Sequence, residues 1–244
     1  MARDRELPMI SLPGYPTSTQ LLDGLAEAGK PVILNFSRGK DSVAVWLELA
    51  AREIEVIPIH KSIVPGLKFI RTDLDRYEQY FGTRIIDLPA DAFWRMLSNL
   101  VFQPPERCAI IEAADLWVPT REEWDELMRE AFATSDTWIL DGVRAADSAT
   151  RMLAIKRWGA VKHRTRRQSP LWDWETREVW ARIKTAGLEL GPDYRMFKRS
   201  IDGIRYDYLG PLRTHYPDDY QTILTWFPLA DLEIFRAEVM HAAP

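Results

Sequence analysis

NFSRGKDSV, residues 35–43, sits between the apolar run PVIL (31–34) and AVWLELAA (44–51), where Val45, Trp46 and Leu49 recur at helical spacing. A short, nearly all-apolar run such as KPVILNF suits a strand covered on both faces. The nine residues therefore mark the point where a buried strand hands over to a helix. An ordinary turn of that kind needs one flexible residue and one cap. This one concentrates a glycine, a lysine, an aspartate and two serines. Backbone N–H groups at a helix start lack partners, and the helix dipole places partial positive charge there. Gly39 lets the backbone close on a ligand, Ser37 and Ser42 offer hydroxyl donors, and Lys40 adds a full charge. That combination is an oxyanion cradle. A plainer reading, with Asp41 or Ser42 capping the helix and Lys40 in water, fits the same letters.

A Walker-type phosphate loop is excluded. It wants glycine where this chain has Leu34, and Ser or Thr after the lysine, where this chain has Asp41.

Outward from the loop, helix and strand signals alternate. TSTQLLDGLAEAG (17–29) offers hydroxyl caps, leucines at helical spacing and Gly29 as a stop. IEVIPIH (54–60) reads as a second strand, FIRTDLDRYEQYFG (69–82) as a helix ending at Gly82, and TRIIDLP (83–89) as a third strand. DAFWRMLSNLVF (91–102) reads as a helix, TREEWDELMREAFA (120–133) as a helix opened by a Thr120/Glu123 capping box, and TWILDGVR (137–144) as a strand. Alternation of this kind means a doubly wound, mostly parallel α/β sheet, with functional loops at the carboxyl ends of its strands. NFSRGKDSV lies at one such end and DGVRAADSATR (141–151) is expected at another. After about residue 150 the pattern shifts. KHRTRRQSPLWDW (162–174) is basic and then tryptophan-rich, and ETREVWARIKTAG (175–187) is one amphipathic helix. The expected organisation is an irregular arm over 1–17, a nucleotide-binding α/β domain over 18–150 and a mostly helical C-terminal lobe over 151–244.

Composition narrows the class. Of 244 residues, 46% are hydrophobic and 28% charged, as in a globular protein with a real core. The single cysteine, Cys108, rules out an intrachain disulfide and a Cys-pair zinc or iron–sulfur site built from this chain alone. A reducing, cytoplasmic setting fits, and neither a secretory leader nor a membrane span is expected. The net charge of −4 argues against a general nucleic-acid binder, though the KHRTRR run leaves room for a local basic stripe.

SRGKDS after a buried strand resembles the Ser-Gly-Gly-Lys-Asp-Ser pyrophosphate loop of the PP-loop ATP pyrophosphatase superfamily, whose fold is adenine nucleotide alpha hydrolase-like, with Arg38 in place of the first glycine. The lysine form is similar to the branch of phosphoadenosine phosphosulfate (PAPS) reductases, the ATP sulfurylase small subunit and eukaryotic-type FAD synthetases. GVRAADSATR is similar to that branch's Gly-x-Arg-x-x-(Glu/Asp)-Ser-x-x-Arg segment through Gly142, Arg144, Asp147, Ser148 and Arg151. SPLWDWETREVWARI is similar to its Pro-Leu-x-Asp-Trp segment, and the helix that follows, through Pro170, Leu171, Asp173, Trp174 and Trp180.

The resemblance implies that Ser37, Arg38, Gly39, Lys40, Asp41 and Ser42, with Gly142, Arg144 and Arg151, hold the phosphates of ATP (or PAPS). Lys40, Asp41 and Arg144 would be the catalytic set, and Asp41 a ligand to Mg²⁺. His60 and Lys61, in the expected loop HKSIVPGL (60–67), are weaker candidates, and a structural histidine is the simpler reading. Trp172, Trp174 and Trp180 are expected to pack. The branch's reductases attack with a C-terminal cysteine that this chain lacks, and Cys108 is expected to be a small buried residue, so thiol-dependent sulfonucleotide reduction is not expected. The implied function is cleavage of ATP between the α and β phosphates, with AMP transferred to an acceptor oxygen and pyrophosphate released. The alternative is an ATP- or PAPS-binding subunit that works with a partner protein, or a nucleic-acid contact module.

Overall fold

A computed structural model describes residues 10–197 and 203–242. Residues 1–9 of the expected arm lie outside the described residues. Helices α1 (Ser18–Ala28), α2 (Lys40–Ala50) and α3 (Lys68–Phe81) alternate with strands β1 (Val32–Asn35), β2 (Val56–Ser62) and β3 (Ile86–Pro89), and three helices in succession, α4 (Asp91–Ser98), α5 (Pro105–Ala113) and α6 (Arg121–Phe132), lead to β4 (Ile139–Leu140). They are followed by α7 (Ala149–Trp158), β5 (Val161–Lys162), β6 (Arg167–Gln168), α8 (Thr176–Thr185), α9 (Pro192–Phe197), α10 (Tyr206–His215), α11 (Pro217–Trp226) and α12 (Asp231–Ala242). No helix among the described residues is long and apolar enough to cross a membrane.

The strands form one sheet in the order β3-β2-β1-β4-β6-β5. β1 pairs in parallel with β2 and β4, and β4 with β6; only the β5–β6 hairpin is antiparallel. The order runs outward from β1 in one direction through β2 and β3, then resumes on its other side with β4. The gap between the carboxyl ends of β1 and β4 is thus a topological switch point, where open α/β sheets take their ligands.

By packing, the chain divides into two compact units: residues 1–59 with 125–190, and 60–124 with 191–244. These limits differ from a boundary at 150. The reason is that residues 161–168 return to the sheet as β5 and β6, and α8 then packs beside α2. The compositional shift marked a change of surface, not an exit from the sheet.

In the first unit, β1 is fully buried at Val32, Ile33 and Leu34, and Phe36 meets Trp46 edge-on at 5.0 Å. Val179 and Ile183 of α8 are buried with it, and Arg182 ties α8 to α2 through Glu48 (2.5 Å) and the Leu47 carbonyl (2.8 Å). α1 starts at Thr17, whose capping box with Gln20 is complete, and stops at Gly29 with φ 58°. The described part of the arm is anchored here. The Trp172 indole donates to the Pro16 carbonyl (2.9 Å), the Tyr15 ring lies tilted beside it at 6.1 Å, and buried Asp173 accepts from the Ser18 backbone N–H (3.0 Å) and hydroxyl.

In the second unit, Phe93 packs edge-on against Trp94, Trp226 and Phe227. α3 has no side-chain cap of its own; Asp219 supplies one by accepting from the Lys68 (2.6 Å) and Phe69 (3.0 Å) N–H groups. The Thr120/Glu123 box forms as expected, with reciprocal bonds of 2.7 and 3.2 Å. α5 was not legible in the sequence. It buries no residue, and Cys108 on it is half-buried rather than buried, its thiol directed at the Pro104 and Gln103 carbonyls. His60 and Lys61 belong to β2 itself rather than to a loop; His60 is buried, and the Lys61 ammonium lies 5.4 Å from the centre of the Trp124 ring. Of the three tryptophans expected to pack, Trp172 is fully buried and Trp174 half-buried, but Trp180 is 40% exposed.

Candidate phosphate-binding site

The loop after β1 is fixed by a short ring of hydrogen bonds. Ser42 Oγ donates to the Gly39 carbonyl (3.0 Å), so the 3.1 Å contact between the two serine hydroxyls has Ser37 as its donor. The Gly39 N–H approaches Ser37 Oγ at 3.4 Å and completes the circuit. Both hydroxyls serve the loop's own shape. Gly39 is the N-cap of α2 with extended backbone, and the first helical bond runs from Val43 N–H to its carbonyl (3.1 Å). The N–H groups of Lys40, Asp41 and Ser42 accordingly have no intrahelical acceptor.

Arg38 sits at φ 62°, in the left-handed region, and is nearly buried. This is the position where the resembled loop carries glycine. A side chain there costs about 1–2 kcal/mol of backbone strain relative to glycine, which the rest of the loop must offset.

Gly142, just past β4, explains why the loop and the second motif stay together. A Cβ built on it would stand 2.9 Å from Asp41 C, Asp41 Cβ and Ser42 N. Two of these atoms are backbone and cannot rotate away. Glycine is therefore required by the approach of β4 to the first turn of α2, across the switch point.

That approach creates an alternating chain of charges. Lys40 Nζ lies 2.8 and 2.7 Å from the two oxygens of Asp41. Asp41 Oδ1 is 2.8 Å from Arg144 Nε, a charge contact without the alignment of a hydrogen bond. Arg144 Nη2 then meets Asp147 (2.6 Å), and the other Asp147 oxygen meets Arg151 (2.6 Å). Three cations and two carboxylates leave one net positive charge. Arg144 is 1% exposed. Its guanidinium is further held by the Trp174 carbonyl (3.2 Å), and Asp147 also accepts from its backbone N–H (3.0 Å). Lys40 and Asp41 are partly open, and Arg151 is half-exposed. Thus Lys40, Asp41, Arg144 and Arg151 meet in one network around Gly142, with Ser37, Gly39 and Ser42 shaping its floor.

Sequence reasoning missed a second network on the same sheet. Arg167, nearly buried on β6, makes a two-oxygen contact with Asp125 (2.6 and 2.7 Å) and lies 3.4 Å from Asp141. Asp141 also accepts from Ser169 Oγ (2.6 Å) and the Val143 N–H (3.2 Å). Beside it, buried Arg129 donates to the carbonyls of Thr137 (2.9 Å), Thr165 (2.7 Å) and Arg166 (3.2 Å). Burial lowers the Arg129 pKa below its ordinary value, and the charges of Arg166 and Arg167 lower it further against the pull of Asp125.

No group of three or more His, Cys, Asp or Glu among the described residues is arranged to hold a metal. A Mg²⁺ here fits only as a nucleotide complex, with phosphate oxygens as ligands and Asp41 as a single protein carboxylate, which is how Mg²⁺ is commonly bound.

No family model and no curated protein matches the sequence. Among solved structures, the chain is similar to a U34-tRNA thiolase from Methanococcus maripaludis with its 4Fe-4S cluster, at 15% identity and a TM-score of 0.45, over 94% of this chain and 87% of that one. It is also similar to an NH3-dependent NAD synthetase from Campylobacter jejuni in complex with nitrate, at 11% identity and a TM-score of 0.45, over 93% and 96%. Likeness at this level carries no argument about chemistry, and the reading of the loop rests on its own geometry.

Proposed function

We propose that the first unit binds an adenine nucleotide by its phosphates at residues 37–42, Arg144 and Arg151, and that the reaction is cleavage of ATP at the α–β bond. An acceptor oxygen attacks the α-phosphorus, the bond to the bridging oxygen breaks, the acceptor keeps AMP and gives up any hydroxyl proton to solvent, and pyrophosphate leaves. The observation that carries this reading is the Gly142 contact, which brings a lysine, two arginines and unpaired helix N–H groups to the switch point of a parallel sheet. Such a site works by positioning and charge neutralisation and needs no protein nucleophile. Lys40 and the α2 N–H groups would hold the leaving phosphates, and Arg144, already pinned, would fix their approach. Mg²⁺, when bound with the nucleotide, supplies further neutralisation, and Asp41 is the carboxylate in position to meet it. The PP-loop resemblance of the three sequence segments supports the same assignment, and the PAPS-reductase branch is an ancestry within it. The chain's one cysteine belongs to the second unit, on a helix with no buried residue.

Calorimetry with Mg-ATP and with pyrophosphate tests the binding, and a pyrophosphate-release assay across hydroxyl- and carboxylate-bearing acceptors tests the chemistry. Binding of both ligands, weakened at least about tenfold in Lys40→Ala, is the expected result. ATP binding without pyrophosphate release under any acceptor would reduce the reading to a nucleotide-binding subunit, and absence of binding would end it.

A further inference from the structure

Between Ala149 and Gln168 the sequence contains no Asp or Glu, in a chain whose overall charge is −4. Besides the buried Arg167, its cations are Arg151, Lys156, Arg157, Lys162, Arg164 and Arg166, all exposed, with His163 exposed among them. An ordinary solvated face mixes signs, as α6 does with Arg121, Glu122, Glu123, Glu126 and Glu130. This stretch does not.

α7 buries Ile155, and half-buries Met152, against Trp172, Ala145 and Ala160, which turns the remaining face outward. On that face Leu153 is 65% and Trp158 60% exposed, and the Arg157 guanidinium lies 5.1 Å from the centre of the Trp158 ring. No carboxylate pairs with Lys156, Arg157 or Lys162 among the described residues. The β5–β6 hairpin continues the surface. Its turn is held from beneath by Arg129, and His163 packs edge-on against Trp138 at 5.7 Å. Arg166 reaches the Ser135 carbonyl (2.7 Å). The cations are therefore displayed on fixed backbone.

We infer that the outer face of α7 and the β5–β6 hairpin binds a single-stranded polynucleotide, with Lys156, Arg157 and Lys162 on phosphates and Trp158 stacked on a base. Cations with no internal counterion suit a phosphate backbone, and an exposed indole among them suits an unpaired base. A lipid surface fits less well. An interfacial helix presents a broad apolar face, whereas on α7 Met152 and Ile155 turn into the core and the large apolar side chains left outside are Leu153 and Trp158 alone. The inference stands on different residues from the nucleotide reading. If both hold, the first turn of α7, where Arg151 joins Asp147, connects the two surfaces and makes a polynucleotide the natural acceptor.

The test is fluorescence anisotropy of a labelled oligouridylate about twelve nucleotides long with the full chain, across a salt series. Binding is expected, and Lys156→Ala/Arg157→Ala/Lys162→Ala is expected to weaken it about tenfold and to reduce the salt slope by about two, the value for three lost single-strand phosphate contacts. Trp158→Ala is expected to weaken binding roughly fivefold or more with the slope unchanged. Circular dichroism melts check that the variants fold; a triple variant that does not fold leaves Trp158→Ala, a single change of an exposed side chain, to decide. Lys40→Ala should leave oligonucleotide affinity unchanged, and if it alone lost affinity the contact would belong to the phosphate loop instead. No binding at low salt, unaltered binding by folded variants, or equal binding of polyglutamate or anionic phosphatidylserine vesicles would overturn the inference.

Discussion

Two charged networks sit on the same sheet, and they are built differently. The one around Gly142 alternates Lys40, Asp41, Arg144, Asp147 and Arg151, has one cation more than it can neutralise, and is open at both ends. The one around Arg167 sets Arg167 and the neighbouring Arg129 against Asp125 and Asp141, two charges of each sign, adds Ser169, and is largely shut from water. A network that closes on itself holds elements together. A network left with surplus charge and solvent access has something still to bind.

The sharpest way to break this contrast is Asp125→Ala. It strands a buried guanidinium, and unfolding in urea should show a loss of about 3–5 kcal/mol. Replacing Asp125 and Arg167 together by apolar residues of similar volume should restore most of that loss, as expected of a structural staple. Next comes Gly142→Ala, where the new methyl meets backbone. A stability loss of about 1–3 kcal/mol is expected from the forced separation of β4 and α2, together with weaker pyrophosphate binding by calorimetry. Lys40→Ala should do the opposite of Asp125→Ala. Pyrophosphate affinity should fall at least about tenfold, while unfolding free energy moves by less than about 1 kcal/mol, since the pair it breaks is partly exposed. The smallest effect belongs to Arg151→Ala, with stability unchanged within about 0.5 kcal/mol and affinity reduced a few-fold. Were Lys40→Ala to cost as much stability as Asp125→Ala, the distinction between the networks would disappear.

The local parts of this molecule were readable in the sequence, because local physics decides them. β1 through α2, the caps at Thr17 and Thr120, and the stops at Gly29 and Gly82 each depend on residues a few positions apart. The candidate site was readable as residues but not as a network. That Asp41 joins Arg144, or that Gly142 is a packing glycine, follows from the order of strands in the sheet. The Arg167–Asp125 pair spans 42 positions and has no sequence signature. The β5–β6 hairpin escaped because its two-residue strands, Val161–Lys162 and Arg167–Gln168, carry no apolar run like the one that marks β4, and α5 because a helix that buries nothing shows no apolar stripe.

Trp172 and Asp173 bear on how the chain tolerates shortening. A truncated form begun at Ser18 would remove the Pro16 carbonyl that receives the indole proton and the Tyr15 ring beside it. A large aromatic surface would then meet water directly beneath α7, inviting self-association in a protein whose phosphate-loop residues were all still present.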